Sequence, residues 1–383
     1  MMVLLAAAAL ASGQTYVGAG GCASSNCHGG TTALPESQSR ILGNEYATWA
    51  VADRHALAQK KLLDPRGKRM AEILHIADAT RDKRCAVCHV VGSPEKSLSD
   101  GVACEACHGG AVQWLGPHTQ ANSHAESVRL GMNDTKDLTV RAKTCLGCHL
   151  GRGEQAVDHE MIAAGHPDLQ FELDTFTSAM PAHHREPKPD ARVRAWAVGQ
   201  STALAEGMRL LAQHADKAWP EFSDLECYQC HHDLRLDSWR IQRGYGARKA
   251  GSVQLNLARF AVLRDVAPEL NGPLGQLLAA NTMNASAVAQ AASTVEKAAD
   301  ALTAKYLTAD LDAQAMLRAI GADIQRIADG GVHSAEQATM TLDALSTALG
   351  RKPAGVAALY TYLERPSAYR PADFVALYRK AAE

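Results

Sequence analysis

The sequence has 383 residues, of which 46% are hydrophobic, and its 39 lysines and arginines against 41 aspartates and glutamates give a net charge of −2. A nearly neutral chain lacks the excess positive charge that binding to nucleic acid requires. The length predicts two or three domains, with enough apolar residues for a core.

The chain opens with MMVLLAAAALASGQ, an apolar run that ends in small residues. This pattern is typical of a secretory signal peptide, here residues 1–13, although an apolar first helix of the mature protein is the alternative. No later stretch has the uninterrupted apolar length that a membrane span needs. We therefore expect a mature chain without a membrane span, in the periplasm or outside the cell.

All ten cysteines occur in five pairs, and a histidine follows each pair directly. Four pairs have the spacing CxxCH, whereas the first, CASSNCH, has two additional residues between its cysteines. The five motifs are Cys22, Cys27 and His28; Cys85, Cys88 and His89; Cys104, Cys107 and His108; Cys145, Cys148 and His149; and Cys227, Cys230 and His231.

CxxCH is the attachment signature of c-type haem, in which two thiols bind the porphyrin and the histidine binds the iron. A zinc ribbon, a thioredoxin-type dithiol or a set of disulfides would not explain a histidine after every pair. We therefore predict five covalently bound haem c groups. Only 19 residues are Phe, Trp or Tyr, which suits a core built around porphyrins.

Helical periodicity predicts three helices in the part that carries the motifs, over residues 45–63, 158–164 and 191–219. It predicts five more near the end, over residues 253–266, 286–307, 310–329, 334–349 and 371–382. No alternating pattern predicts a sheet. The predicted fold is mainly α with extensive loops: a pentahaem cytochrome c domain over 14–248, followed by a cofactor-free helical bundle over 249–383.

A second axial ligand for each iron must come from the eleven remaining histidines. His55 lies on an apolar helical stripe with Val51, Ala58 and Leu62, so it is a candidate ligand, with a buried core histidine as the alternative. His118 follows the third motif in WLGPH, a turn that would return the chain over a neighbouring porphyrin.

The other candidates come later in the chain. His159 and His166 are seven residues apart, so on one helix they would face the same way and serve two adjacent irons. His183 and His184 lie in a proline-bounded loop, where one of them would bind a given iron, and His232 would reach a haem other than that of His231. We predict a structural role for His214 and a cap or surface position for His333.

Over about residues 20 to 240 the chain resembles the cytochrome c554 family of multihaem cytochromes. The resemblance depends on CASSNCHGG, WAVADRHALA, CAVCH, GVACEACHGG followed by WLGPH, CLGCH, DHEMIAAGHP and CYQCHHDL. The family type has four haems, so the fifth motif and the helical tail have no counterpart in it.

The resemblance implies particular ligand pairs. It pairs His55 with the haem of His108, His118 with the haem of His28, and His183 or His184 with the haem of His149. His159, His166 and His232 then remain for the haems of His89 and His231. In the family the second haem, here that of His89, can lack a distal ligand.

Three functions follow as hypotheses. The first is an exported carrier, not a catalyst, that transfers electrons along closely packed, mostly bis-histidine haems to and from redox partner proteins. The second is a redox enzyme with one five-coordinate haem, that of His89, acting on a small nitrogen or sulfur compound. The third is a subunit of a homo-oligomer or filament with haem-to-haem contacts, in which the helical tail serves for docking.

Overall fold

A computed structural model describes residues 15–91, 100–185, 188–232, 234–238, 253–256 and 258–383. The predicted signal peptide, residues 1–13, lies outside these ranges. The first ten helices are α1 (Glu45–Ala52), α2 (Ala58–Leu63), α3 (Pro65–Ile73), α4 (Lys83–His89), α5 (Cys104–His108), α6 (His124–Arg129), α7 (Leu138–His149), α8 (His159–Ala164), α9 (Leu173–Ala179) and α10 (Pro189–Lys217).

A two-residue hairpin, β1 (Gly151–Arg152) with β2 (Gln155–Ala156), lies between α7 and α8. The later helices are α11 (Leu263–Val266), α12 (Asn271–Ala279), α13 (Ala285–Tyr306), α14 (Ala313–Ala322), α15 (Ile324–Asp329), α16 (Val332–Ala348), α17 (Val356–Leu363) and α18 (Pro371–Ala382). The mainly α fold is therefore confirmed. No helix in the described part of the chain has the length and apolarity to cross a membrane.

The largest hydrophobic core lies around α10. Trp196, Leu204 and Met208 of this helix are almost fully buried, in one cluster with Val295 of α13 and Phe374 of α18. The sequence analysis assigned α10 to the haem-binding domain and the later helices to a separate bundle. In the fold they share one core, so α10 joins the segment that carries the motifs to the C-terminal helices.

The segment that carries the first four motifs has only small apolar clusters. One contains Leu62, Ile76 and Val90, and another contains Ala19 and Val91. The short helices here bring the motifs together through loops, as expected for a segment whose core is completed by a large apolar cofactor.

The predicted helix over 45–63 is wrong in its middle. The α1 helix ends at Ala52, and a 3₁₀ turn over Arg54–Leu57 precedes α2. The Asp53 carboxylate accepts a hydrogen bond from the His55 N–H, which offers the backbone an alternative to the helical bond. His55 therefore does not share a helical stripe with Val51, whose side chain is 89% exposed.

Two predicted tail helices are also corrected. The described residues of 253–266 form a 3₁₀ turn (Ala258–Phe260) and the short α11, and Leu255 pairs with Leu225 as a β-bridge. The pattern over 310–329 divides into α14 and α15 at Asp323, which makes an ion pair with Arg326. By contrast, α13 and α16 agree with their predictions to within two residues, and α18 agrees at both ends.

Candidate haem centres

Three of the five motifs lie on helices. The helices α4 and α7 end at His89 and His149, and α5 consists of the whole third motif. Because helical residues three apart are neighbours on one face, the two thiols of each CxxC unit point the same way. The following histidine comes at the helix end. This arrangement fits attachment of one flat group by two thiols beside an imidazole.

Thiols of different motifs also meet. The thiols of Cys22 and Cys104, from the first and third motifs, lie close enough for Cys104 to raise the pKa of Cys22, and Cys148 of the fourth motif raises the pKa of Cys88 of the second in the same way. No described cysteine forms a disulfide. The fold therefore brings the first motif to the third and the second to the fourth at their points of attachment.

Four motif histidines face a second histidine ring at nearly the same distance. The ring centroids are 6.3 Å apart for His28 and His118, 6.2 Å for His55 and His149, 6.5 Å for His89 and His166, and 6.1 Å for His159 and His231. Each pair combines a motif histidine with one that the sequence analysis named as a candidate ligand.

This spacing is the one that a metal between two imidazoles requires. A metal–imidazole bond is about 2.0 Å long, and the ring centroid lies about 1.1 Å behind the nitrogen, so two opposite rings place their centroids about 6.2 Å apart. His183 and His184, whose centroids are 4.2 Å apart, are too close to bind one metal from opposite sides. The residues present therefore fit an iron held from both sides.

The remaining motif histidine, His108 of the third motif, lies near the loop of His183 and His184. Charge on His183 lowers the pKa of His108, and charge on His108 lowers the pKa of His184, although burial contributes most in both cases. Each pKa is about 4. The His183 Nδ1 is hydrogen-bonded to the Pro181 carbonyl at 3.1 Å, which directs the other ring nitrogen away from that carbonyl.

These positions agree with one of the pairs that the resemblance implies and differ from two. His118 faces His28, as implied. His55 faces His149 instead of His108, and the His183–His184 loop lies by His108 instead of His149. The 3₁₀ turn after Asp53 directs His55 to the end of α7, where His149 lies.

His159 and His166 lie beside different motifs, and only His159 is on α8. The α8 helix ends at Gly165, which has a left-handed conformation, so His166 lies beyond the helix. His166 then faces His89, and His159 faces His231. It is His159, not His232, whose ring faces the fifth motif; the role of His232 as a ligand stays a prediction.

Most of the candidate ligands have Nδ1 engaged by an oxygen atom. His28 donates to Glu45 at 3.0 Å and His55 to Asp53 at 3.0 Å. The backbone carbonyls of Ala58, Leu115 and Pro167 accept from His89, His118 and His166 at 2.9, 2.5 and 2.8 Å. A hydrogen bond at Nδ1 fixes the tautomer and leaves Nε2 for the metal.

Burial lowers the pKa of some of these histidines, and hydrogen bonds to carboxylates raise the pKa of others. Burial lowers the pKa of His149 to about 4, which keeps the imidazole neutral as metal binding requires. The hydrogen bond with Glu45 raises the pKa of His28. Burial would raise the pKa of Glu45, but the hydrogen bonds from His28 and from backbone N–H groups lower it to about 2. The Glu45 carboxylate is therefore ionised at neutral pH.

The sequence analysis missed Glu105, which lies between the cysteines of the third motif. Its side chain is only 3% exposed and accepts hydrogen bonds from the N–H groups of Val17, Gly18 and Ala111 at 2.9, 2.8 and 2.7 Å. This carboxylate therefore joins the residues just before the first motif, Val17 and Gly18, to the third motif. An acidic residue inside a CxxC unit gives no sequence signal of such long-range contacts.

Arg185 was also missed. Its Nη2 donates to the carbonyls of Leu34, Ser39 and Ile41 at 3.2, 2.6 and 3.1 Å. The loop that carries His183 is thereby attached to the loop that follows the first motif. Since these segments are about 145 residues apart, no local pattern predicts the contact.

Two other histidines have acidic partners. His214, predicted to be structural, is hydrogen-bonded through Nδ1 to Asp224 at 2.6 Å. His333 is not a cap or a surface residue, because its Nδ1 lies 2.9 Å from Asp168 and its side chain is 23% exposed. It connects α16 to the segment just after His166.

The paired cysteines and histidines define the class of the protein, a multihaem c-type cytochrome with covalently bound haem c. More particularly, residues 22–109, which contain the first three motifs, match the family model described as cytochrome c554 and c-prime. The resemblance predicted from the motifs is thus confirmed over residues 22–109. No curated protein and no solved structure matches the chain.

Proposed function

We propose that the protein is an exported electron carrier with five haem c groups, each held between two histidines, over residues 14–248. Haem c supplies one-electron chemistry at its iron when bound. One observation carries the proposal: each of four motif histidines faces a second histidine, with the two ring centroids 6.1–6.5 Å apart.

The fifth pair is that of His108 and His183. Both histidines of the 183–184 loop lie near His108, but His183 is the one whose Nδ1 is hydrogen-bonded to a carbonyl, as for three other ligands in the protein. His183 is also the more buried of the two. We therefore place His183 at the iron and His184 beside it.

Close packing of the five sites is supported by the cysteines. The contacts of Cys22 with Cys104 and of Cys88 with Cys148 leave no room for a protein layer between the attachment points of the two groups in each pair. His55, which lies between the first and second motifs, faces His149 of the fourth, and His159, which lies between the fourth and fifth, faces His231 of the fifth. Electrons are expected to move across the protein through these adjacent sites.

A carrier is favoured over an enzyme by the position of His166. The haem of His89 is the candidate for an open coordination site, yet the His166 ring lies opposite His89 at 6.5 Å. Two axial histidines leave no position for a substrate. Two features of the sequence support export. Residues 1–13 resemble a signal peptide, and all ten cysteines occur in haem-attachment motifs.

The test combines haem stoichiometry with electron paramagnetic resonance of the oxidised holoprotein. Intact mass spectrometry should give five attached groups, and all ferric signals should be low-spin. In His166→Ala one high-spin ferric haem in five is expected, whereas His75→Ala, at an exposed histidine, should leave the spectrum unchanged. Fewer than five groups, or a high-spin haem in the wild type, would contradict the proposal.

A further inference from the structure

We infer that the exposed basic side chains of α2, α3 and the segment leading into α4 form a docking surface for an acidic redox protein, next to the site of His89 and His166. This inference rests on the proposed function, because it names the partner that exchanges electrons there. The basic surface consists of Lys60, Lys61, Arg66, Lys68, Arg69, Arg81 and Lys83, all of which are exposed.

This segment carries a marked excess of positive charge. Residues 54–84 contain nine lysines and arginines and four aspartates and glutamates, a net charge of +5. Since the whole chain has a net charge of −2, the remaining residues together carry −7. A compact positive region on a protein whose net charge is negative produces a local potential that steers oppositely charged partners.

The three helices form one structural unit. Leu62 of α2, Ala86 of α4 and Ile76 from the intervening turn pack together, with Ala71 of α3 against them. The apolar residues of the segment are thus used for its own small core, and the basic ones remain at the surface. In α3 this division follows from the sequence PRGKRMAEI, in which the charged residues outnumber the apolar ones.

Internal ion pairs neutralise only part of the basic surface. Lys61 lies 3.7 Å from Asp64, and Arg69 lies 3.1 Å from Glu72. Lys60, Lys68 and Arg81 take part in no ion pair with the described residues. Exposed pairs of this kind contribute little to stability, so a positive surface of this size needs another explanation than folding.

The basic surface adjoins one ligand pair directly. The Ala58 carbonyl, at the start of α2, accepts from His89 Nδ1 at 2.9 Å. Arg66 donates to the carbonyl of Gly165, the residue before His166. His89 and His166 are therefore both hydrogen-bonded, directly or through a neighbouring residue, to the helices that carry the positive charge. A partner docked on the basic surface would lie close to the site of His89 and His166.

The chemistry of the surface selects the partner. Redox proteins meet in small, transient interfaces in which complementary charge supplies the encounter rate. An acidic protein with a redox centre near its carboxylates fits these lysines and arginines. An anionic membrane is the other class that a positive surface attracts, and the experiment separates the two.

A carboxylate-terminated monolayer on a gold electrode serves as the probe for the acidic partner. The variant is Lys60→Glu with Lys68→Glu and Arg81→Glu. The matched control makes the same change in charge on exposed basic residues of the C-terminal helices, with Lys297→Glu, Arg318→Glu and Lys352→Glu. At low salt we expect the interfacial electron-transfer rate of the variant to fall at least about tenfold, and that of the control to stay within about twofold of the wild type.

The difference should vanish near 1 M salt, where charges are screened within about 3 Å. Equal losses in variant and control would overturn the inference, because they would show a general effect of net charge. A variant with low haem content would also overturn it, because the basic residues would then be needed for haem attachment. Tight binding of the wild type to phosphatidylglycerol vesicles would overturn it in favour of a membrane. A wild type with fewer than five haems would contradict the proposed function alone, because docking at this site is measured separately.

Discussion

The rings of His28 and His118 lie nearly parallel, with an angle of 11° between their planes. The other pairs differ from this one. His55 and His149 are at 87° and His89 and His166 at 88°, so their planes are almost perpendicular. In the His28–His118 and His89–His166 pairs both rings are hydrogen-bonded at Nδ1, which fixes the rotation of each imidazole.

The ring angles predict two kinds of low-spin ferric signal in electron paramagnetic resonance. Perpendicular axial imidazoles leave the iron orbitals nearly degenerate and give a strongly anisotropic signal, and parallel ones give a rhombic signal. In His118→Ala the rhombic component should decrease, with the remainder coming from the His159–His231 pair at 32°, and one high-spin haem should replace the lost part. The control is His124→Ala, six residues away, whose ring pairs with Asp134. Loss of an anisotropic component in His118→Ala would contradict the assignment of His118 to His28.

Glu45→Gln should raise the reduction potential of the haem that His28 binds. The ionised carboxylate makes the imidazole more basic and stabilises the ferric state, and a neutral amide would do so less. A change of about 1 kcal/mol in this interaction corresponds to about 40 mV for one electron. Redox titration followed by absorbance measures the shift. Glu36→Gln, at an exposed position on the following loop, should leave all five potentials unchanged.

Glu105→Ala should destabilise the protein by about 2–4 kcal/mol, because three backbone N–H groups lose their acceptor in a buried site. Glu105→Gln retains an acceptor oxygen and should cost less. Thermal unfolding of the holoprotein, followed by circular dichroism, gives the difference. Glu126→Ala is the control, since Glu126 is exposed and pairs only with the neighbouring Arg129. Equal melting temperatures for the two alanine variants would refute the role of Glu105.

Arg185→Lys should loosen the loop that carries His183, because all three carbonyls bind Nη2 and the lysine side chain ends one bond short of that position. The expected result is a partial high-spin signal at the haem of His108, with four haems unaffected. Arg235→Lys, at an exposed arginine paired with Asp237, is the control. A fully low-spin Arg185→Lys protein would mean that other contacts hold the loop.

The sequence predicts the ligand types better than it predicts their partners. The motif histidines follow from spacing alone, and the four histidines that face them were all candidates. Which distal histidine meets which motif depends on contacts between remote segments, such as Arg185 with Ser39. The exchange of His55 from His108 to His149 shows this, because a single carboxylate, Asp53, changes the direction of the chain.

The helices show the same division. The α18 and α13 helices have a regular apolar period and clear ends, and their predicted bounds agree with the structure. Residues 253–266 also have a helical apolar period, but most of the described ones do not form an α-helix, because Leu255 pairs with Leu225 and Phe260 lies in the core. Tertiary packing decides such segments, and a single sequence does not contain that information in local form.

Glu172 gives the stability of the protein a specific pH dependence. This carboxyl group caps α9, accepting from the N–H groups of Asp174 and Thr175, but burial raises its pKa to about 7. The folded state therefore binds the proton more tightly than the unfolded chain, whose pKa is about 4.3. Its contribution to stability is present at low pH and is lost as the pH rises through 7.

Over that range the loss from Glu172 should be on the order of 3 kcal/mol. Glu172→Gln keeps an acceptor for the helix cap and does not titrate, so its unfolding free energy should fall less between pH 5 and pH 8 than that of the wild type. Urea unfolding at both pH values measures the two slopes. Glu364→Gln, at an exposed position, should behave as the wild type does. Parallel pH profiles for Glu172→Gln and the wild type would show that Glu172 is already ionised at pH 5.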